Sequence, residues 1–250
     1  MKLFKIIFLI LLFISSFLTI ANAGSGPASI YKIQIFKIEF CDNTSTVSSC
    51  NGADTVYDDT AGDGSGWIDI ASTTAGAAAA SLGNISKLEF GKEYTHMQVT
   101  MSREFKLSGS ASPGSGETCY TKAGSDGTDS LSATGSTSSG DQTEVTLYAA
   151  FVSTGLSNGF SGMSSVTDST PQINEVEAGD THFQKRMAFD NSFVLKAGKI
   201  PTIKVAFGTD TATGATGNMD DGEDPADGCG SSGASKGMYA GPPDVSVSWQ

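Results

Sequence analysis

The stretch Ile30–Phe40 reads IYKIQIFKIEF and is the most strand-prone segment of the chain. Its apolar side chains alternate on one face as far as Ile35 and on the opposite face from Phe36 onward. One layer cannot bury both sets, so we expect either a β-bulge at Ile35–Phe36 or a strand that leaves one sheet and joins a second. Both alternatives favour a β-sandwich.

The rest of the chain also has the pattern of strands separated by loops. Further strands are predicted at Trp67–Ile70, Glu93–Lys106, Glu144–Val152, Lys185–Leu195, Ile200–Phe207 and Asp244–Trp249. About seven strands and essentially no amphipathic helix predict an all-β fold, a single antiparallel β-sandwich domain over residues 24–250 with long Gly/Ser-rich loops.

Two local features of these strands can be checked against the structure. In the segment from 93 to 106, alternation predicts that Thr95, Met97, Val99 and Met101 face the core, while Tyr94, His96, Gln98 and Thr100 face solvent. Residues 196–199 (KAGK) favour a hairpin turn between the two neighbouring strands. Residues 107–142 are predicted to form either a decorated surface loop or a weak hairpin.

The amino-terminal residues 1–23 have the three parts of a secretory signal peptide. Lys2 and Lys5 precede an apolar run from Ile6 to Ile20, and residues 21–23 (ANA) form a small-residue cleavage site. The run is too short for a convincing membrane span, so none is expected after signal removal. We expect residues 24–250 to be secreted, on the cell surface or periplasmic, in a bacterium.

The charge balance of the chain is strongly acidic. The signal holds two of the 15 basic residues and no acidic one, so 13 basic and 27 acidic residues remain, a net charge of −14. Nucleic acid is therefore excluded as an expected partner, because phosphate binding needs a basic face. Only Arg103 and Arg186 are arginines.

The four cysteines are Cys41, Cys50, Cys119 and Cys229. An even number in an exported chain predicts two disulfides, with three connectivities open. Cys41 with Cys50 is the natural local pair, closing the loop Asp42–Ser49, which would leave Cys119 to pair with Cys229.

Several strand segments carry a family resemblance. Tyr31–Cys41, Trp67–Ile70, Gly91–Arg103 (GKEYTHMQVTMSR) and Phe193–Phe207 resemble motifs of bacterial exported, transthyretin-like β-sandwich proteins of unassigned function. The resemblance implies a sandwich fold, and no catalytic residues come with it.

An acidic tract precedes Cys229 and contains Asp220, Asp221, Glu223, Asp224 and Asp227. Calcium prefers several oxygen ligands on a loop that can bend around it, and this glycine-containing tract supplies both. Its spacing is not that of an EF-hand. We favour a solvated, disulfide-pinned loop and keep a calcium site as the alternative.

Exposed aromatic side chains are candidates for stacking on sugars. Tyr120 and Tyr239 lie in small-residue loops and are the predicted ligand-binding residues. Trp67 and Trp249 have apolar neighbours, so core packing is the favoured interpretation for both.

The signals for catalysis are weak. Residues 155–159 (GLSNG) have the Gly-x-Ser-x-Gly spacing of a serine hydrolase, but the strand-to-helix context is missing. His96 and His182 belong to no zinc-binding cluster.

The expected function is therefore a non-enzymatic secreted or cell-surface structural protein, adhesin-like or filament-forming through pairing of its terminal strands, with copies of itself or other surface proteins as partners. The alternative is an extracellular glycan-binding module with a calcium-dependent form.

Overall fold

The computed structural model describes thirteen stretches of the chain, and every structural statement below concerns these stretches. They are residues 23–72, 82–112, 118–123, 133, 135–149, 151–152, 159–173, 175–196, 203–210, 213–216, 229, 237–240 and 244–249. The predicted signal peptide apart from Ala23, the acidic tract 220–227 and the sequence GLSN at 155–158 lie outside the described residues.

Strands dominate the described part of the chain. They are β1 Ala23–Gly26, β2 Ala28–Asp42, β3 Asp54–Asp58, β4 Trp67–Asp69, β5 Glu93–Ser102, β6 Glu104–Ala111, β7 Cys119–Thr121, β8 Gly135–Ser136, β9 Val145–Tyr148, β10 Phe151–Val152, β11 Phe160–Met163, β12 Gln172–Ile173, β13 Glu175–Val176, β14 His182–Val194, β15 Ile203–Gly208, β16 Thr213–Thr216, β17 Gly237–Ala240 and β18 Asp244–Trp249. Two short 3₁₀ turns are at Ile85–Lys87 and Ser139–Asp141. All pairings between these strands are antiparallel, which confirms the predicted all-β antiparallel class.

The largest sheet has eleven strands and is built around β2. Its main path is β12–β11–β14–β5–β2–β6–β7–β8, with β3 and β4 also paired to β2 and β9 paired to β6. Three smaller sheets contain β1–β16–β17, β10–β13 and β15–β18.

The phase fault in β2 is present, and it is the bulge that the sequence predicted; the strand stays in one eleven-stranded sheet and changes its neighbours there. The register against β5 slips between Ile35, opposite Met101, and Lys37, opposite Thr100, so Phe36 is the extra residue of a bulge. Residues 28–34 of β2 pair with β4 and β6, and residues 35–42 pair with β3 and β5. One strand therefore supplies two half-sheets.

The predicted strand 93–106 is two strands that meet at a corner. Arg103 is fully buried at this corner; its N–H donates to Thr181 O (3.0 Å), and its carbonyl accepts from Ala149 N (2.8 Å). The corner moves the chain from β5, beside one part of β2, to β6, beside the other.

The predicted outward face of β5 was wrong at three positions. Tyr94, Gln98 and Thr100 are buried, as are Met97 and Val99. The register against β2 slips between Cys41, opposite His96, and Asp42, opposite Tyr94, so Thr95 is an extra residue and Tyr94 lies on the core face with Phe40. Because β5 lies between β2 and β14 and both of its faces are covered, simple alternation does not describe its burial.

The side chain of Tyr94 packs in the main hydrophobic core. Its ring lies 5.2 Å from that of Phe193 (centroid to centroid), and its hydroxyl donates to Asp54, which also pairs with Lys92 (3.1 Å). Burial first, and the Asp54 carboxylate second, raise the pKa of Tyr94, so the hydroxyl stays protonated and donates.

The three-stranded sheet β1–β16–β17 packs closely on β6. A Cβ on Gly26 would lie 2.2 Å from Ser110 O, and one on Gly109 would lie 2.2 Å from the Thr213 hydroxyl oxygen. Only glycine fits at these two positions, which explains two of the many glycines in the sequence.

The end of the chain differs from the predicted hairpin. β15 pairs with β18, from Ile203 opposite Trp249 to Gly208 opposite Asp244, while β14 pairs with β5 and β11. The turn itself (197–199) lies outside the described residues.

Within 107–142, β7 pairs with β8 through Tyr120 and Ser136, so this stretch contains the weak hairpin rather than only a loop.

Two disulfides join these elements. Cys41 is bonded to Cys50 and Cys119 to Cys229, the pairing that the sequence favoured. The first closes a loop beside β2, and the second spans 110 residues and lies in a small buried cluster with Ala111 and Met238. Among the described residues, no helix has the length and apolar character needed to cross a membrane.

Candidate functional site

Four neighbouring strands place polar side chains in a row across the sheet after the fault in β2. We call this row the polar ladder; it consists of Glu39 on β2, Gln98 on β5, Arg186 on β14 and Ser161 on β11. Glu39 is directly opposite Gln98, and Gln98 is directly opposite Arg186. Opposite residues of antiparallel strands share a face, so these side chains meet on the face turned away from Phe40 and Met97.

The ladder is continuous and buried. Arg186 Nη1 donates to Gln98 Oε1 (2.7 Å), and Gln98 Nε2 donates to Glu39 Oε2 (2.8 Å). Arg186 Nη2 donates to Ser161 Oγ, and Lys37 Nζ pairs with Glu39 Oε1 (2.6 Å). Only 4% of Arg186 and 7% each of Gln98 and Glu39 are exposed.

The loop Asp42–Ser49, closed by the Cys41–Cys50 disulfide, contacts the ladder at Arg186; we call it the cover loop. Arg186 Nε donates to Val47 O (3.0 Å), so the loop supplies one of the partners that the guanidinium needs. Gly159, at φ +68°, lies against both groups: a Cβ there would be 2.9 Å from Val47 O and 2.6 Å from Arg186 O. This glycine therefore permits the close approach of the loop to the sheet.

The other end of the cover loop is also attached to β5. Thr95 Oγ1 donates to Asp42 O (2.8 Å), and Asn43 Nδ2 donates to Glu93 Oε2 (3.0 Å). A side-chain hydrogen bond from Ser192 and then one from Asn43 lower the pKa of Glu93, so this contact is made by a carboxylate.

The chemistry of the polar ladder suits a structural role, which is to hold the cover loop on the sheet. Burial lowers the pKa of Arg186, but a guanidinium remains protonated at any ordinary pH. Its charge is compensated by Glu39 through Gln98, and its donors go to side chains and to the cover loop. The arrangement fixes the loop on the sheet and turns no ladder group toward solvent.

Arg103 has an equivalent role at the corner between β5 and β6. Its Nη1 donates to Glu177 O (2.5 Å) and Asp180 O (3.2 Å), and its Cζ lies 5.2 Å from the centre of the Tyr148 ring. Both arginines of the chain are therefore buried and bound to the carbonyl groups of loops.

The face before the fault in β2 is different. Here the strand order is β4–β2–β6–β9, and Ile33, Ile68, Phe105 and Leu147 point into the core. The opposite side carries Trp67, Gln34, Lys32, Lys106, Thr146 and Tyr148, which we call the open face. Cross-strand register places Gln34 opposite Trp67, and Lys32 opposite Lys106.

Trp67 is exposed on the open face, so the core packing predicted for it was wrong. The residue is 37% exposed, and Lys106 Nζ lies 4.7 Å from the centre of its ring. Beside it, Lys32 Nζ pairs with Glu144 Oε2 (2.5 Å), and both side chains are about one-third exposed (30% and 32%).

The predicted ligand-binding residues Tyr120 and Tyr239 are each half-buried. Their strand neighbours Cys119 and Met238 point into one small buried cluster, so alternation turns the two tyrosines away from that cluster. The structure thus places both residues near the Cys119–Cys229 disulfide but shows no contact between them in the described region.

The predicted metal ligands Asp220, Asp221, Glu223, Asp224 and Asp227 lie outside the described residues. Within the part of the chain that the structure describes, no group of three or more His, Cys, Asp or Glu side chains is arranged to hold a metal ion. His96 and His182 are on separate strands, and burial lowers the pKa of each.

Sequence analysis missed the polar ladder and the open face. Alternation assigned Gln98 to solvent because nothing nearby in the sequence indicates that Glu39 and Arg186 bond to it from neighbouring strands. One signal was available: both arginines of a chain poor in basic residues fall within or beside strongly β-prone segments. Comparisons with protein-family models, with curated proteins and with solved structures find no match.

Proposed function

We propose that this chain is a non-enzymatic secreted or cell-surface structural protein that is adhesin-like or assembles filaments by pairing of its terminal strands. The observation that carries the proposal is the position of β1 and β18. In the described stretches, β1 pairs only with β16, and β18 pairs only with β15. Among the described residues each of these two strands is therefore paired along one edge, and the proposal assigns the other edge to a strand of another copy.

The proposal changes which amino-terminal strand would pair between copies. The sequence pointed to Ile30–Phe40, but β2 has partners on both sides and lies inside the main sheet. β1 precedes it, is joined to it through Pro27 alone, and keeps Gly24–Gly26 if the signal is cleaved after Ala23.

The locked construction supports a structural role. Two disulfides and the polar ladder hold loops onto the sheets by covalent and charge-assisted bonds, which suits a protein that must stay folded outside the cell.

The proposal is tested by monitoring the assembly of the exported, processed protein with light scattering and negative-stain microscopy. Successive N–H groups of a strand point to opposite edges, and proline has no N–H group. Of the two variants Gly24→Pro and Ser25→Pro, one therefore removes an N–H group that points away from β16, and the other removes one that points at β16. We expect one of them to keep the thermal stability of the wild type and abolish assembly. Wild-type protein that stays a uniform monomer at high concentration would contradict the proposal.

A second candidate function is an extracellular glycan-binding module, favoured by the exposed ring of Trp67. Its calcium-dependent form depends on the acidic tract 220–227. Screening on a glycan array with calcium and with chelator tests both parts, and a signal that chelator leaves unchanged would exclude the calcium requirement.

A further inference from the structure

The open face has an aromatic residue at each edge and polar residues between. Trp67 is on β4 at one edge, and Tyr148 is on β9 at the other, where it is opposite Glu104. Three strand spacings separate β4 from β9, or about 14 Å across the face. Such a width accommodates several sugar units laid across the strands.

The exposed aromatic ring indicates the kind of surface that a ligand would present. An indole with more than a third of its surface in water keeps an apolar face that can stack on the C–H groups of a pyranose ring, while its neighbours supply hydrogen bonds. Lys106 Nζ lies over one face of the Trp67 ring, 4.7 Å from its centre, so a sugar ring would stack on the other face.

The charges of the open face are balanced. Lys32 is paired with Glu144, and Lys106 is partly satisfied by the indole ring. A face with lysine, glutamine, threonine and carboxylate groups both donates and accepts hydrogen bonds, as hydroxyl groups also do. A polyanion is disfavoured because the whole chain carries a net charge of −12.

We propose that the open face is a binding site for a neutral polysaccharide, with Trp67 stacked on one sugar ring and Lys32, Gln34 and Lys106 bonded to its hydroxyl groups. This proposal rests on the second candidate function and names its ligand class and site. It assigns binding to Trp67 in place of Tyr120 and Tyr239.

The experiment is native electrophoresis of the exported protein in gels cast with hydroxyethyl cellulose, laminarin or galactomannan, with polygalacturonate as the anionic comparator. We expect retardation in at least one neutral gel and none in the anionic gel. Trp67→Ala is expected to weaken the apparent affinity at least tenfold, and Trp67→Phe to retain part of it. The matched control is Phe90→Ala, which removes the most exposed large apolar side chain of the described residues (66% exposed) and should leave the retardation unchanged.

A fluorescence measurement tests contact directly. The chain has two tryptophans, so Trp249→Phe leaves Trp67 as the only indole reporter. The polysaccharide that retards the protein should reduce acrylamide quenching of Trp67 at least twofold, and unchanged quenching would overturn the site.

The outcomes separate the site from the function. Retardation that survives Trp67→Ala but is lost with Tyr120→Ala would overturn the site and leave glycan binding standing. Retardation by polygalacturonate alone would overturn the neutral ligand class. The absence of retardation in every neutral gel, together with an empty glycan array, would overturn both the site and the second candidate function.

Discussion

The two parts of β2 treat their outer faces in opposite ways. After the fault, the face carries the polar ladder, a disulfide-closed loop contacts it at Arg186, and Arg186, Gln98 and Glu39 are buried. Before the fault, the face carries Trp67, Lys32 paired with Glu144, and Lys106 over the Trp67 ring, and it remains open to solvent.

The difference shows that a polar side chain on a strand does not by itself indicate an exposed face. Where they are buried and a distant loop contacts them, they must satisfy one another and the loop, and they then contribute to stability. Where no described segment covers them, they are available for contact with other molecules. Substitutions in each part of the sheet test this contrast between a closed half and an open half.

The largest expected effect is that of Arg186→Met on the closed half. The substitution leaves Gln98 Oε1, Ser161 Oγ and Val47 O without their donor in a buried site, while Glu39 keeps its ion pair with Lys37. We expect a loss of about 3–5 kcal/mol in the free energy of unfolding, measured with urea. Lys106→Met on the open half is the matched control and should cost about 1 kcal/mol or less. Equal losses in the two variants would erase the contrast.

Removal of the Cys41–Cys50 disulfide should have the next largest effect. Loss of this short loop closure in the Cys41→Ser, Cys50→Ser double variant is expected to cost about 3 kcal/mol. Hydrogen–deuterium exchange of residues 42–49 should rise because the cover loop is released from Arg186. The double variant of Cys119 and Cys229 should be destabilised as well but leave exchange in the cover loop unchanged. A cover loop that keeps its protection without the Cys41–Cys50 bond would show that the disulfide does not hold it.

On the open half, Trp67→Ala is expected to reduce stability by about 1–2 kcal/mol, because more than a third of the tryptophan is already exposed. The next residue, Ile68, points into the core, and Ile68→Ala should cost about 2–5 kcal/mol. Thermal unfolding of both variants measures the difference. A larger loss for Trp67→Ala than for Ile68→Ala would mean that the open face is packed in solution.

The smallest expected effect is a pH dependence confined to the closed half, where both histidines of the chain lie. Burial lowers the pKa of His182, whose ring meets Phe36 edge-on at 4.6 Å (centroid to centroid). A lowered folded-state pKa means that the unfolded chain takes up the proton first, so stability declines as pH falls below the usual value near 6.5.

Urea unfolding midpoints between pH 7.5 and 5.5, a range of about two units around that pKa, measure this slope. His182→Gln should flatten it, and His96→Gln should flatten the remainder because burial also lowers the pKa of His96. A slope that both substitutions leave intact would assign the pH dependence to other groups.

The sequence predicted those parts of the fold that depend on local periodicity. The change of face at Ile35–Phe36 can be read from eleven residues, and it located both the bulge and the division of the sheet. The local disulfide Cys41–Cys50 could be predicted for the same reason, because the loop that it closes is short.

What the sequence did not predict depends on contacts between distant segments. The burial of Gln98 and Thr100 requires strands on both sides of β5 and, for Gln98, hydrogen bonds to Glu39 and Arg186 on those strands. The pairing of β15 with β18 joins segments about forty residues apart, and no local pattern indicates it. The exposure of Trp67 follows from the position of β4 at a sheet edge, which no local pattern encodes.

The division of β2 between two half-sheets is tested most directly by cross-strand nuclear Overhauser effects in the exported protein. We predict contacts from Ile33 to Ile68 and from Tyr31 to Leu107 before the fault, and from Glu39 to Gln98 and Ile38 to Tyr57 after it. If residues on both sides of Phe36 instead showed contacts to one uninterrupted pair of neighbouring strands, the distinction between a closed and an open half would be refuted.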